Sequence, residues 1–227
     1  MKNFKEIILE TENLKATHMA CMKALDNKEM IAIISSPGLG KTIALHTFKS
    51  KHPDRVYMLR VQLGMNARLF HSSLSDLFGN DSYQSKPPIN FCIKEAANFF
   101  NKDSTNKLLI IDGIGKFSPK MLELLCEFRD LTMITTGIIL AGDEYFQFNL
   151  KYLKDKNSNK KGISEVYSRI VAWLPLSKPS YLEIVSLIRA YGIKDSEFEK
   201  FNTGVSDFRT LTNRIINYRT VLEEITE

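Results

Sequence analysis

Five short, almost wholly apolar runs recur along the chain: 30–34, 56–59, 108–111, 138–141 and 171–176, the last cut short by Pro175. Runs apolar on both faces suit strands buried in a parallel sheet. Between them lie amphipathic stretches, 41–51, 68–78, 89–101 and 119–131, and an earlier one at 14–25, with apolar residues at helical spacing. Strand and helix in alternation imply βαβ units. The predicted fold is therefore α/β, a mainly parallel sheet flanked by helices.

The pattern changes after Ser177, where apolar strand runs stop. Pro179 suits the first position of a helix, Leu182, Val185 and Ile188 follow at helical spacing, and Gly192 ends it. Ser206 is the expected N-cap of a last helix with the stripe Phe208, Leu211, Ile215, Tyr218 and Leu222. The division expected is an α/β domain over 1–177 and a small helical lid over 178–227, with no evident flexible linker.

Composition narrows the classes. The 227 residues are 44% hydrophobic and 25% charged, which excludes disorder as the main state. No run approaches the roughly 18 apolar residues of a membrane span, and the first residues lack a secretory signal pattern. A cytoplasmic protein without a membrane partner is expected. Cys21, Cys92 and Cys126 are far apart, without a metal-binding spacing, and His18, His46, His52 and His71 form no ligand pattern. They read as reduced thiols and ordinary histidines. The net charge of +5 is a mild surplus, and alone it does not select polyanion binding.

The chemistry concentrates in SSPGLGKT, Ser35 to Thr42, between the first strand run and a helical stretch. That is the context of a phosphate-binding P-loop. Ser36, Pro37, Gly38, Leu39, Gly40, Lys41, Thr42 and Ile43 form the expected cradle for ATP. The glycines let backbone N–H groups face the phosphates, Lys41 carries the ammonium for the β- and γ-phosphates, and Thr42 supplies a hydroxyl for Mg²⁺. Ser35 stands where the pattern begins with glycine. A second carboxylate for the ion belongs at the end of another buried strand. Leu108–Leu109–Ile110–Ile111–Asp112 places Asp112 there, in a Walker B pattern.

The glutamate that usually follows is Gly113 here. Losing a positioned general base costs about 10²–10⁴ in rate. Either hydrolysis is slow, the reading favoured, or Asp143 or Glu144 substitutes. On this reading Gly113→Glu raises turnover.

These residues resemble the AAA+ ATPases of transposition, of the MuB/TnsC type. The likeness spans nearly the whole chain. It rests on SSPGLGKT, LLIIDGIGKFSPKMLELLCEFRD, TGIILAGDEYF, ISEVYSRIVAWLPLSKPS and GVSDFRTLTNRI, in that order. The resemblance implies a P-loop AAA+ core with a C-terminal helical lid. Asp143 takes the sensor 1 position, Arg169 the arginine finger that reaches a neighbouring protomer, and Arg209 sensor 2. For Arg169 the alternative is a surface ion pair; for Arg209 it is a solvated side chain, although a cation in a first helical turn is easier to understand beside an anion. The catalytic set implied is Lys41, Asp112, Asp143, Arg169 and Arg209, with Thr42 and Asp112 holding Mg²⁺.

The family further implies an oligomer on duplex DNA, bound through phosphates independently of sequence, that presents this target to a transposase. Candidate phosphate contacts are Asn66, Arg68, Lys116 and Lys120. Lys151, Lys154, Lys156, Lys160 and Lys161, opposed by Asp155, read equally as a solvated loop. No aromatic interleaving suggests single-strand stacking. Walker A begins 35 residues in, so little chain is left for a separate DNA-binding module. The alternatives are an IstB/DnaC-like loader ATPase and a signalling NTPase of a defence system.

Overall fold

The computed structural model describes residues 7–77, 89–103, 105–155 and 163–226. Five parallel strands form one sheet: β1 Met30–Ile34, β2 Val56–Arg60, β3 Lys107–Asp112, β4 Thr136–Gly142 and β5 Ile170–Pro175. Their order is β2-β3-β4-β1-β5. Each predicted strand forms close to its expected limits. Pro175 is tolerated because it is the last residue of an edge strand.

Helices α1 Glu12–Asn27, α2 Lys41–Lys51, α3 Ala67–Asp76, α4 Ile89–Asn101 and α5 Pro119–Thr132 match the amphipathic stretches. Phe78, at the expected end of the third, lies outside the described residues. Two further helices, α6 Glu144–Asp155 and α7 Ile163–Arg169, precede β5. The C-terminal helices are α8 Tyr181–Ala190, α9 Glu199–Asn202 and α10 Phe208–Thr226.

Side-chain alternation divides the core. Ile31 and Ile33 of β1, with Leu108 and Ile110 of β3, face Leu25 of α1 and Phe48 of α2. Met30, Ala32, Leu109 and Ile111 face the layer of α3 to α7, through Phe70, Phe100, Phe128, Leu150 and Val166. The result is a three-layer α/β/α sandwich, in which period two in each strand decides which helix it meets. A third cluster, Ile184, Ile188, Leu211 and Ile215 with Leu9 from the N-terminal segment, is the core of the C-terminal helices.

Two caps differ from the sequence expectation. Pro179 lies before α8, and Ser180 is the N-cap. Its hydroxyl accepts from the Glu183 N–H (3.3 Å), and the Glu183 carboxylate accepts from the Ser180 N–H (2.7 Å). This reciprocal capping box satisfies two backbone donors, which outweighs the fit of proline to a first turn. Ser180→Ala is expected to cost about 1 kcal/mol. Thermal unfolding should show that as a fall of about 2–4 °C in Tm. At α10, Asp207 accepts from the Thr210 N–H (2.8 Å) and precedes Phe208, while Ser206 donates to Asp207 (2.9 Å). Asp207 is thus the cap and Ser206 its support. Leu222, the last member of the expected stripe, has no described side chain.

Among the described residues, no helix is long and apolar enough to cross a membrane. Cys21, Cys92 and Cys126 are buried, and none is in a disulfide. Burial pushes the Cys126 thiol up to about 11.

Candidate functional site

The SSPGLGKT loop leaves the C-terminal edge of β1 and enters α2. Gly38 and Gly40 have φ of +88° and +87°, the left-handed region that suits glycine. Gly40 is the N-cap of α2 and supplies no side chain to its first N–H groups. Those donors and the helix's positive end therefore face the cavity, a ready anion site.

The cavity has a volume of about 670 Å³, in the range of small-molecule sites. The loop, Asp112, Asp143, Lys116 and Arg209 all line it. The Lys41 ammonium rests on the Ser35 carbonyl (2.6 Å) and hydroxyl (2.5 Å) and the Ser36 carbonyl (3.2 Å). Burial pulls the lysine below its usual range, against the opposing pull of Asp112, Asp143 and Glu144. The Thr42 hydroxyl donates to Asp112 Oδ2 at 2.9 Å. One hydroxyl and one carboxylate side by side, beneath an anion cradle, are the protein share of a Mg²⁺ shell whose other ligands are phosphate and water. The donor set fits the ion, and Thr42 and Asp112 would hold it.

Gly113 follows at φ 91°, ψ 33°, with its N–H donated to the Ala141 carbonyl (2.9 Å). A side chain there meets the Val61 carbonyl only at 3.4 Å. Conformation, rather than space, therefore favours glycine. A non-glycine residue in the left-handed region costs about 1–2 kcal/mol. Gly113→Glu accordingly adds strain along with a carboxylate, which revises the simple expectation of faster turnover.

Of the two substitute carboxylates, Asp143 lines the cavity while its Oδ1 accepts from the Phe146 N–H (3.0 Å) at the start of α6. Glu144 instead accepts from the Ser36 hydroxyl (3.0 Å). The two acids are thereby separated in role: one faces the cavity, the other braces the loop.

The C-terminal helices close on the loop. The Phe208 N–H donates to the Gly38 carbonyl at 3.1 Å. A methyl group on Gly38 would meet Asp207 Oδ1 at 2.4 Å. Burial raises the Asp207 carboxyl, but hydrogen bonds from Thr210, Ser206 and Arg209 outweigh it and hold the group below the usual carboxylate range. Arg209 is exposed and lines the cavity from this side. Asp207 is a residue the sequence reasoning missed. The spacing Asp207–Thr210 was its available signal.

Asn13 is a second. Nearly buried, it donates to the carbonyls of Leu39 (3.3 Å) and Ser177 (2.8 Å) and accepts from the Ser177 N–H (3.1 Å). It ties α1, the phosphate loop and the start of the C-terminal region together. A smaller cleft of about 80 Å³ adjoins the loop, lined by Leu9, Leu14, Ile43, Leu187 and Tyr191 among others. Its apolar walls suit a flat aromatic base. The N-terminal segment contributes to it from residue 7, ahead of α1.

Other candidates lie elsewhere. Arg169 is not among the cavity-lining residues. It forms a bidentate pair with Asp130 (2.9 and 2.8 Å) and donates to the Glu165 carbonyl. Asn66 caps α3, its oxygen accepting from the N–H groups of Arg68 and Leu69 (both 3.0 Å), and Arg68 is exposed at the start of that helix. Lys116 donates to the Val61 carbonyl (3.0 Å) at the cavity rim, and Lys120 pairs with Glu123 (2.8 Å). Lys156, Lys160 and Lys161 lie outside the described residues.

Known structures share this architecture. The Aeropyrum pernix ORC2 protein, solved as ADPNP–ADP complexes, superposes with a TM-score of 0.66 at 15% identity, over 99% of this chain and 65% of that one. The replication initiator DnaA bound to AMPPCP and single-stranded DNA gives 0.61 at 17%, over 94% and 63%. The Thermotoga maritima RuvB Holliday junction branch migration motor gives 0.58 at 15%, over 96% and 64%. The chain thus spans a little less than two thirds of the length of each. No curated protein matches it in sequence. The sequence model described as "AAA domain" matches residues 24–150, which include the phosphate loop, Asp112 and Asp143. With the P-loop, the Walker B aspartate and the five-stranded parallel sheet already in place, this chain belongs to the AAA domain family.

Proposed function

We propose that this protein binds ATP with Mg²⁺, assembles on duplex DNA without regard to sequence, and presents that DNA to a transposase. The observation that carries the nucleotide half is the pairing of Thr42 with Asp112 beside Lys41 in one cavity. The DNA half is supported by the ordered series of motifs across the chain and by the overall positive charge. Two solved structures of the same fold are also described as complexes with DNA, the Aeropyrum pernix ORC1 protein and DnaA.

In this reading the Lys41 ammonium leaves the Ser35 oxygens for the β- and γ-phosphates, and Arg209 approaches from the lid. Thr42 and Asp112 would hold the ion, which would supply charge neutralisation on the phosphates. Asp143, the cavity-facing acid, orients water in place of the absent glutamate. Hydrolysis is slow because Asp143 is also committed to capping α6. Arg169 acts on the nucleotide of a neighbouring copy, exchanging Asp130 for phosphate oxygens on assembly. The separate core of the last helices supports a division into a nucleotide-binding domain over 1–177 and a lid over 178–227.

Co-sedimentation with random duplex DNA tests the proposal. Binding should require ATP or a non-hydrolysable analogue and fall steeply with salt. Arg169→Ala should spare ATP binding by the monomer while weakening assembly on DNA. Equal retention with and without nucleotide, or no retention at all, would count against it.

A further inference from the structure

We infer that Lys116 is a γ-phosphate ligand that makes this site prefer a nucleoside triphosphate to a diphosphate. The inference rests on the nucleotide half of the function proposed above. Gly113, in the left-handed region, leads into a single 3-10 turn, Ile114–Lys116, and the Lys116 N–H donates to the Gly113 carbonyl (3.1 Å). That tight turn carries the chain back over the end of β3. The Lys116 ammonium donates to the Val61 carbonyl (3.0 Å), and it stands 3.8 Å from where a Cβ at position 113 would be. An ammonium is therefore within reach of the side chain that this position usually carries, a glutamate that orients the water attacking the γ-phosphate. The missing carboxylate and the added cation belong to one turn.

Position along the nucleotide selects the terminal phosphate. The apolar cleft that suits a base and the phosphate cavity share Leu39, Gly40 and Ile43, whereas Lys116 and Arg60 line the cavity and not the cleft. A nucleotide with its base in the cleft crosses the loop, passes Thr42 and Asp112, and ends toward Lys116. Arg60 is in register with Asp112 across β2 and β3, but it is Lys116 that stands beside position 113. Among the described residues that line the cavity, Lys41, Arg60, Lys116 and Arg209 oppose Asp112 and Asp143. That cationic excess suits the added charge of a third phosphate. The Val61 carbonyl is neutral and takes one of the three ammonium donors, so a phosphate oxygen, which makes the stronger charge-assisted bond, can draw the side chain across. A diphosphate ends short of it. The sequence alone grouped Lys116 with candidate DNA contacts; its place on the cavity wall favours the nucleotide.

The test is titration of the full chain with fluorescent analogues of ATP and of ADP, with Mg²⁺ present, for wild type, Lys116→Met and Lys116→Arg. Lys116→Met keeps the stem and removes the charge. It should weaken binding of the ATP analogue about 10-fold or more and leave the ADP analogue nearly unchanged. Lys116→Arg should keep most of the preference for the triphosphate. In wild type, acetylation by N-hydroxysuccinimidyl acetate, mapped by mass spectrometry, should be slowed at Lys116 by AMPPNP and not by ADP. Equal losses for the two analogues in Lys116→Met would make the lysine a brace for Val61 and overturn the inference. So would unchanged affinities, a wild type with no preference for the triphosphate, or equal acetylation with either nucleotide. A Lys116→Met variant that keeps the preference but no longer sediments with duplex DNA at saturating nucleotide would mark a DNA contact instead, and would also overturn it. If wild type binds neither analogue, the nucleotide reading itself fails. If wild type binds ATP and only the Lys116 comparisons fail, that reading stands and this inference does not.

Discussion

Gly137→Ala should destabilise this protein more than any other single methyl group added to its glycines. Gly137 is in β4, directly under α1. A Cβ built there lies 1.9 Å from the Ala24 carbonyl oxygen, 2.5 Å from the Ala24 carbonyl carbon and 3.1 Å from the Leu25 nitrogen. All three are main-chain atoms inside a helix, so no side chain can rotate away. Helix α1 must lift off the sheet by more than an ångström. It is held there by several separate interactions. The Ile138 N–H donates to the Glu29 carbonyl just beyond its end (2.9 Å), and Arg129 bridges the Lys28 and Thr136 carbonyls (2.6 and 2.9 Å). Cys21, Ala24 and Leu25, all fully buried, would pack less well once it moved. Overpacking a core costs about 1–3 kcal/mol where side chains can adjust. Here the cost should reach about 3 kcal/mol or more, a large part of a typical stability of about 5–15 kcal/mol. Thermal unfolding followed by circular dichroism should show Tm lower by roughly 10 °C, or no folded protein. A Tm within a degree or two of wild type would mean that α1 does not lie against β4 at this distance.

Lys41→Ala is expected to abolish nucleotide binding while leaving the fold intact. The ammonium is held by three oxygens of Ser35 and Ser36 at the mouth of the loop. Asp112, Asp143 and Glu144 all act on it electrostatically. Without the lysine, that acidic surround would meet the phosphates uncompensated. Removing one partner of a charge-assisted hydrogen bond leaves the opposing charge unpaired, at a cost of several kcal/mol in such a site. ATP affinity should fall about 100-fold or more, since each 1.4 kcal/mol is about tenfold. Titration with a fluorescent ATP analogue measures it. Stability should hold or rise slightly, because burial opposes the charged form of this lysine. Assembly on DNA should disappear together with nucleotide binding. Affinity within a few-fold of wild type would contradict the role given to Lys41.

Much of the fold was legible because strand identity here follows from composition alone. A run such as Leu108–Ile111, apolar on both faces, has nowhere to go but the middle of a parallel sheet. The phosphate site was legible for a related reason, since its function depends on backbone shape and glycine marks that shape. Pairings that close over long stretches of chain were not legible. Asn13 meets Ser177 across 164 residues, and no local pattern announces it. Helix α6 was missed because its outward face is aromatic, so the polar–apolar contrast that reveals helices is blurred. Gly113 could be read as a missing glutamate but not as a left-handed residue. That distinction needs φ, and it changes what restoring the side chain would do.

The strand order bears on how this chain is made. β1 pairs with β4 and β5 only, and the first of these begins at residue 136, more than 100 residues later. During synthesis, β2 and β3 can find each other long before β1 has any partner. Until then Met-Ile-Ala-Ile-Ile, fully buried in the finished sheet, is an unpaired apolar edge on the ribosome. Non-local pairing of this kind folds slowly and exposes sticky intermediates. A chain arrested before β4 emerges would carry its phosphate-loop strand bare, an adhesive end rather than an unfinished sheet.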